Sequence, residues 1–168
     1  MTETTPRSSL ASTVALAGRL VAEADPGVQA ELRRLDPGRE DNWQSGAFYR
    51  LMAVLEPERT LGASGERAWA ALLSGMARIE HVPDGPKPGA LLAGQGFSEL
   101  RFARLLEADE SQLHVQLRSA VHYLSSKGTS RMDWLPLAQL MLDRRGHDRT
   151  RRNLARDYYR ASVSAEER

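Results

Sequence analysis

The chain has 168 residues, 41% hydrophobic and 27% charged, and its 23 Lys and Arg against 22 Asp and Glu leave a net charge of +1. These values exclude whole-chain disorder, a collagen-like repeat and a highly basic tail protein, and the length allows one domain or two small helical lobes. With no cysteine, disulfide scaffolds, zinc–thiolate sites and cysteine nucleophiles are excluded together, and no apolar run approaches the ~20 residues that span a bilayer.

Residues 1–7 read as a frayed start without the basic and apolar regions of a signal peptide, so no export is expected and the chain is placed in the cytoplasm. From Ser8, Leu10, Val14, Ala17 and Val21 recur at helical spacing, with Leu20 beside them. Asp25-Pro26 can open a second helix, holding Val28, Leu32 and Leu35 before Asp36-Pro37-Gly38 ends it. Ser45 is placed to cap a third helix with Phe48, Leu51, Met52 and Leu55, stopped at Pro57. Residues 65–81 form the clearest helix of the first half, with Trp69, Leu72, Leu73, Met76 and Ile79 on one face.

Three Pro and two Gly between His81 and Gly89 mark a loop, taken as the boundary between two lobes. The expected division is an N-terminal helical lobe at 8–81, a linker with a short helix around Leu91 and Leu92 at 82–97, and a C-terminal bundle at 98–162. In that bundle Ser98 caps a helix carrying Phe102, Leu105 and Leu106, and Asp109 with Gln112 reads as a capping box. The helix opened by Asp109 turns Leu113, Leu117, Ala120, Val121 and Leu124 inward, and 125–130 is a turn. Trp134, Leu137, Leu140 and Met141 lie on the next helix, with Pro136 in its permitted first turn and Gly146 at its end. Asp148 is expected to cap a last helix running to about Ser162. No stretch alternates with period 2, and the fold class is all-α: two small helical lobes joined by a Pro/Gly-rich loop.

Enzyme motifs are missing. There is no Gly-x-Ser-x-Gly and no phosphate-binding Gly-rich loop with its lysine, and 62–65 reads as a plain loop. None of His81, His114, His122 and His147 forms a His-Glu-x-x-His motif; His114 and His122, on one side of a helix with Arg118, read as ordinary surface histidines, and His147-Asp148 sits in a helix-entry turn without the further ligands a metal site needs. The carboxylates are scattered. No catalytic residue, metal or cofactor is expected.

Basic charge is what stands out. Of the basic residues 21 are Arg, whose planar fork matches phosphate oxygens. Residues 1–100 carry 10 basic and 13 acidic residues, residues 101–168 carry 13 and 9, and seven Arg against two Asp fall between Arg144 and Arg160. On a helix, Arg149, Arg152, Arg156 and Arg160 lie within about 80° of one another, opposite Leu154 and Tyr158. Arg144 and Arg145 sit just ahead. Such a row is spaced to touch successive phosphates, and Tyr159 at its border could stack on a base. The plain alternative is a solvated face. Arg101 and Arg104 on one helix, Arg118 on the next, and Arg33, Arg34 and Arg50 in the first half could continue the path.

Several segments carry a resemblance in order along the chain: Glu31–Arg34 (ELRR), Ala47–Leu51 (AFYRL), Arg101–Asp109 (RFARLLEAD), Gln116–Val121 (QLRSAV), Trp134–Met141 (WLPLAQLM) and Ala155–Tyr159 (ARDYY). Together they resemble the CasB family, the small subunit of the type I-E CRISPR surveillance complex Cascade, from about residue 10 to 162. The resemblance implies an all-α, non-catalytic protein without a cofactor. It implies two copies, head to tail, touching the backbone subunits and the large subunit. It also implies that basic residues help to hold the guide RNA–target DNA hybrid and the displaced DNA strand: Arg33, Arg34, Arg50, Arg101, Arg118, and Arg149 with Arg151 or Arg152. No membrane partner is implied. The competing expectations are a helix-turn-helix regulator, which would read bases in the major groove, and a helical adaptor that binds only proteins.

Overall fold

The computed structural model describes residues 9–39, 44–56 and 62–168. Among the described residues the chain is all-α apart from one pair of two-residue strands. Helix α1 (Leu10–Glu23) leads to α2 (Pro26–Arg33), α3 (Gly46–Leu55) and α4 (Ala63–Met76). Strand β1 (Glu80–His81) follows, then α5 (Pro88–Gly94), α6 (Glu99–Glu107) and α7 (Glu110–Ser126). Strand β2 (Arg131–Met132), α8 (Leu135–Leu142) and α9 (His147–Glu166) complete the chain. No helix among the described residues is long and apolar enough to cross a membrane.

Local side-chain chemistry starts several helices. Ser9, Ser45, Ser98 and Asp109 each accept a hydrogen bond from the backbone N–H three residues on, which satisfies a donor that the helix itself leaves orphaned. The Asp109 carboxylate also accepts from the Ser111 hydroxyl, and these bonds hold its pKa below the usual carboxylate range. Pro stands in the first turn of α2, α5 and α8, where its missing N–H leaves no bond unmade.

Buried hydrophobic residues from both the first half and the second half of the chain fall in one cluster, joined by packing of α4 on α7 and α8 and of α1 on α8. Trp69 and Trp134 are its largest fully buried side chains. Gly75 is required here, because a Cβ at that position would run into the Trp134 ring.

Several expectations are corrected. The helix expected at 65–81 begins at Ala63, so the loop expected at 62–65 is largely its first turn; Glu66 there complements the positive helix end. It ends at Met76, after which the backbone enters β1 and the Ile79 carbonyl accepts the Trp134 indole N–H (2.9 Å). β1 and β2 pair in parallel with Glu80 opposite Arg131, a feature too short to show a period. Helix α5 starts at Pro88, ahead of Leu91. Helix α7 runs on to Ser126, and the chain reverses at Gly128, whose φ of +87° suits glycine. Helix α8 stops at Leu142, short of Gly146. Asp148 lies inside the first turn of α9, Asp143 Oδ1 instead accepts from the Gly146 N–H (3.1 Å), and the helix continues past Ser162 to Glu166. The expected start at 1–7, with Ser8, and the stop at Pro57 lie outside the described residues.

His114, expected at the surface, is not a surface residue, and His81 is covered too. His114 is buried, and the His81 side chain is only 4% exposed. His81 Nδ1 accepts the Trp134 backbone N–H at 3.0 Å, so this nitrogen must be unprotonated. Burial holds the His81 pKa below its ordinary 6.5, against the opposing pull of Asp133. His114 is held low by burial and by Arg67. A histidine whose folded pKa is depressed lets the unfolded chain bind more protons, so stability rises with pH. Stability is therefore expected to be full above the unfolded value of 6.5 and to decline as pH falls through the folded values. Thermal unfolding from about pH 7.5 to about pH 5 checks this. The midpoint should fall on acidification, less steeply in His81→Gln; a level profile contradicts it.

Candidate nucleic-acid interface

Helix α9 is a rod about 30 Å long at 1.5 Å per residue. Its inner side carries Leu154 and Tyr158, 1% and 5% exposed. The Tyr158 ring stacks on Phe102 (centroids 4.1 Å apart, planes 8° apart), and its hydroxyl donates to the Phe97 carbonyl. Helix α5 crosses this side closely. A Cβ on Gly89 would lie 2.6 Å from the Leu154 carbonyl oxygen and 3.0 Å from the Tyr158 nitrogen, so glycine is what lets the two backbones approach. Helix α8 supports α9 from a second side.

With that side anchored, the opposite face is in solvent. Arg149, Arg152, Arg156 and Arg160 are all exposed. Arg152 donates from Nε to the Asp148 carbonyl (3.3 Å), while the side chains of Arg149, Arg156 and Arg160 have no hydrogen bond or ion pair among the described residues. From Arg149 to Arg160 the row runs about 16 Å, with a guanidinium every three or four residues. Its flank is not uniformly basic. Arg156 and Arg160 also edge a cavity of about 330 Å³ whose walls include Asp84, Asp133 and Asp157. Asp133 there is buried and bound by Lys87 at 2.7 Å, which raises the Lys87 pKa.

The other residues singled out from the sequence are dispersed. Arg151 points away from the row: its Nε is buried without a partner, and it pairs with Asp148 at 4.0 Å. Arg144 is tied to Glu110 and to the Ser64 hydroxyl, and Arg145 is exposed beside it. Arg101 lies over the Phe97 ring (4.4 Å) and the Tyr123 ring (5.1 Å), a cation–π position that half-buries it. Tyr159, the candidate for base stacking, donates its hydroxyl to Glu99 (2.7 Å) and sets its ring edge-on to Tyr158. Arg34 follows α2, and Arg50 and Arg104 lie on α3 and α6; all three are exposed with no side-chain partner among the described residues. Arg33 donates from Nε to the Ala77 carbonyl (2.9 Å), and Arg118 pairs with Asp36 (3.2 Å).

Beside these last lie Arg78, which sequence reasoning missed, and His122, which it read as a surface histidine on the same side of its helix as Arg118. Arg78 donates to the Arg33 carbonyl (3.4 Å), and His122 shares a cavity wall with Arg78 and Arg118. Nothing local links Arg78 to Arg118 and His122. Among the described residues, no group of three or more His, Cys, Asp or Glu is placed to hold a metal ion.

The family described as CRISPR-associated protein Cse2 matches residues 28–159 of this chain. Among solved structures the chain is similar to one in E. coli Cascade bound to a PAM-containing double-stranded DNA target, with 23% identity, a TM-score of 0.66, and coverage of 89% of this chain and 96% of that one. It is also similar to M. ruber CasB, with 22% identity, a TM-score of 0.69, and coverage of 95% and 97%. At these identities the likeness shows the fold. No curated protein matches the chain.

Proposed function

The chain belongs to the CRISPR-associated protein Cse2 (CasB) family, and from that premise we propose that it is a non-catalytic small subunit of a type I-E RNA-guided surveillance complex, Cascade, acting in antiviral defence in the cytoplasm. It binds nucleic-acid backbone without reading sequence and so stabilises the opened target: the displaced strand and the guide RNA–target DNA hybrid. Its protein partners are the backbone subunits, the large subunit and a second copy of itself.

The observation that carries this reading is the row of four exposed Arg on α9, three of them without a side-chain partner among the described residues. Opening a target exchanges DNA pairs for RNA–DNA pairs at nearly balanced energy, so modest added affinity for the open state shifts the balance. Guanidinium groups on phosphates supply that affinity. They position a strand and carry no sequence information, which suits a subunit whose complex reads sequence through its guide. A near-neutral protein with one local basic row also avoids binding nucleic acid everywhere else.

The test uses the reconstituted complex on a matched target. Once the target is open, its reclosure should be markedly faster when the subunit carries Arg149→Ala, Arg152→Ala and Arg156→Ala, with complex assembly intact. Equal lifetimes of the open state would refute the role. A footprint of the isolated chain on one particular duplex sequence would favour a regulator instead.

A further inference from the structure

The cavity beside α9 brings charged groups together, and they do not pair as their spacing in the sequence would pair them. Asp84, Asp133, Asp157, Lys87, Arg156 and Arg160 all line this one space of about 330 Å³. Lys87 Nζ donates to Asp133 Oδ2 at 2.7 Å, and the Asp133 side chain is 4% exposed. Asp133 Oδ1 accepts the Leu135 N–H (3.0 Å), so both carboxylate oxygens are occupied. Arg156 and Arg160, by contrast, have no side-chain hydrogen bond or ion pair among the described residues, although Asp157 borders the same cavity.

Asp157 stands one residue after Arg156 and three before Arg160. An acid three positions ahead of a base on a helix is its neighbour and ordinarily pairs with it. Packing explains why this pair is not made. A Cβ built on Gly89 would lie 3.1 Å from the Asp157 Cβ, so the Asp157 stem rests on the first turn of α5. Lys87 immediately precedes that turn. Its ammonium is a compact point charge on a flexible stem, able to serve more than one carboxylate. The bond to Asp133 raises the Lys87 pKa, burial opposes it, and the charges of Asp133, Asp84 and Asp157 add to it. Asp157 therefore acts on Lys87 through space and forms no ion pair with either Arg.

We propose that Lys87 is a positioning residue for the α9 row: anchored on Asp133 and drawing Asp157 towards itself, it keeps that carboxylate off Arg156 and Arg160 and leaves their guanidinium groups to the phosphates of a bound strand. This rests on the reading of α9 as a strand-binding row. Lys87 needs no contact with the strand. It acts by occupying the carboxylate that would otherwise compete with a phosphate for the same fork of donors.

The experiment measures binding of a fluorescent oligothymidylate to the full chain across a salt series. Lys87→Met with Asp133→Asn removes one charge of each sign, which keeps the net charge and strands no buried carboxylate. Asp157 is then free to pair with Arg160, and one phosphate contact is lost. Affinity should fall about fivefold at 0.1 M salt, and the slope of log K against log salt should flatten by about 0.7. Adding Asp157→Asn should restore both, while Asp148→Asn, the same charge change nearer the start of α9, should not. In an Arg156→Ala, Arg160→Ala background the Lys87→Met, Asp133→Asn change should do nothing, whereas a Lys87 that touched the strand itself would still register. Lys87→Gln, whose amide can still donate to Asp133, gives the same readings should the double variant not fold. Binding equal to the parent, a loss that Asp157→Asn leaves in place or that Asp148→Asn restores equally, or a loss that persists without the two Arg would overturn the proposal. Undiminished binding by Arg156→Ala, Arg160→Ala alone would sink the row and this inference with it. Weakened binding there, beside an unaffected Lys87→Met, Asp133→Asn variant, would sink this inference and leave the row standing.

Discussion

Replacing Trp134 with Ala is expected to remove about 3–5 kcal/mol of folding stability, the range for deleting a fully buried tryptophan side chain. Trp134 is 0% exposed and joins parts of the chain that share no local pattern. Its indole N–H donates to the Ile79 carbonyl (2.9 Å), its backbone N–H donates to His81 Nδ1 (3.0 Å), and its ring fills the space left by Gly75 on α4. It also stands at the start of α8, one of the two helices on which α9 rests. Against a total of about 5–15 kcal/mol for ordinary domains, the loss is a large fraction. In a chain of this size it corresponds to a fall of roughly 10 °C in the unfolding midpoint. Trp134→Phe should recover part of the loss by refilling the cavity, while leaving the Ile79 carbonyl without its donor, a deficit of about 1–3 kcal/mol. Chemical denaturation of the three proteins checks the order. A Trp134→Ala variant within about 1 kcal/mol of the parent would show that the cavity collapses and that the joint is not central.

The same joint shows where sequence reasoning runs out. Caps are legible because their chemistry is local: Ser45, Ser98 and Asp109 each lie three residues from the N–H they bind. The inward pair Leu154 and Tyr158 is legible because helical geometry alone places both opposite the Arg row. The β1–β2 pair is not, since two residues per strand carry no period and their partners are 51 positions apart. Close approaches at Gly75 and Gly89 leave no trace either, because a glycine needed for packing looks like a glycine in a loop. Within the candidate site, exposure of the α9 row followed from the pattern of its own helix. What each remaining Arg touches did not. Arg101 is claimed by two aromatic rings, Arg144 by a carboxylate 34 residues earlier, and Arg33 by a backbone carbonyl 44 residues later. Arg78 comes beside Arg118 and His122 only through packing of α4 against α7.

The α9 row remains the central claim, and its expected effect follows from counterion release. Each phosphate contact on a single strand contributes about 0.7 to the slope of log K against log salt, so three contacts contribute about 2. Losing that slope lowers affinity about 100-fold at 0.1 M salt, and the difference closes as salt approaches 1 M. A solvated face with no ligand gives neither effect. Because base edges are not read, the loss should be the same for strands of unlike sequence. The decisive measurement is therefore a salt titration of single-strand binding by the parent chain and by Arg149→Ala, Arg152→Ala, Arg156→Ala, using two oligonucleotides of unrelated sequence. The account predicts parallel losses on both oligonucleotides and a slope shallower by about 2 in the variant. Affinities within about twofold of each other at low salt, with equal slopes, would contradict it.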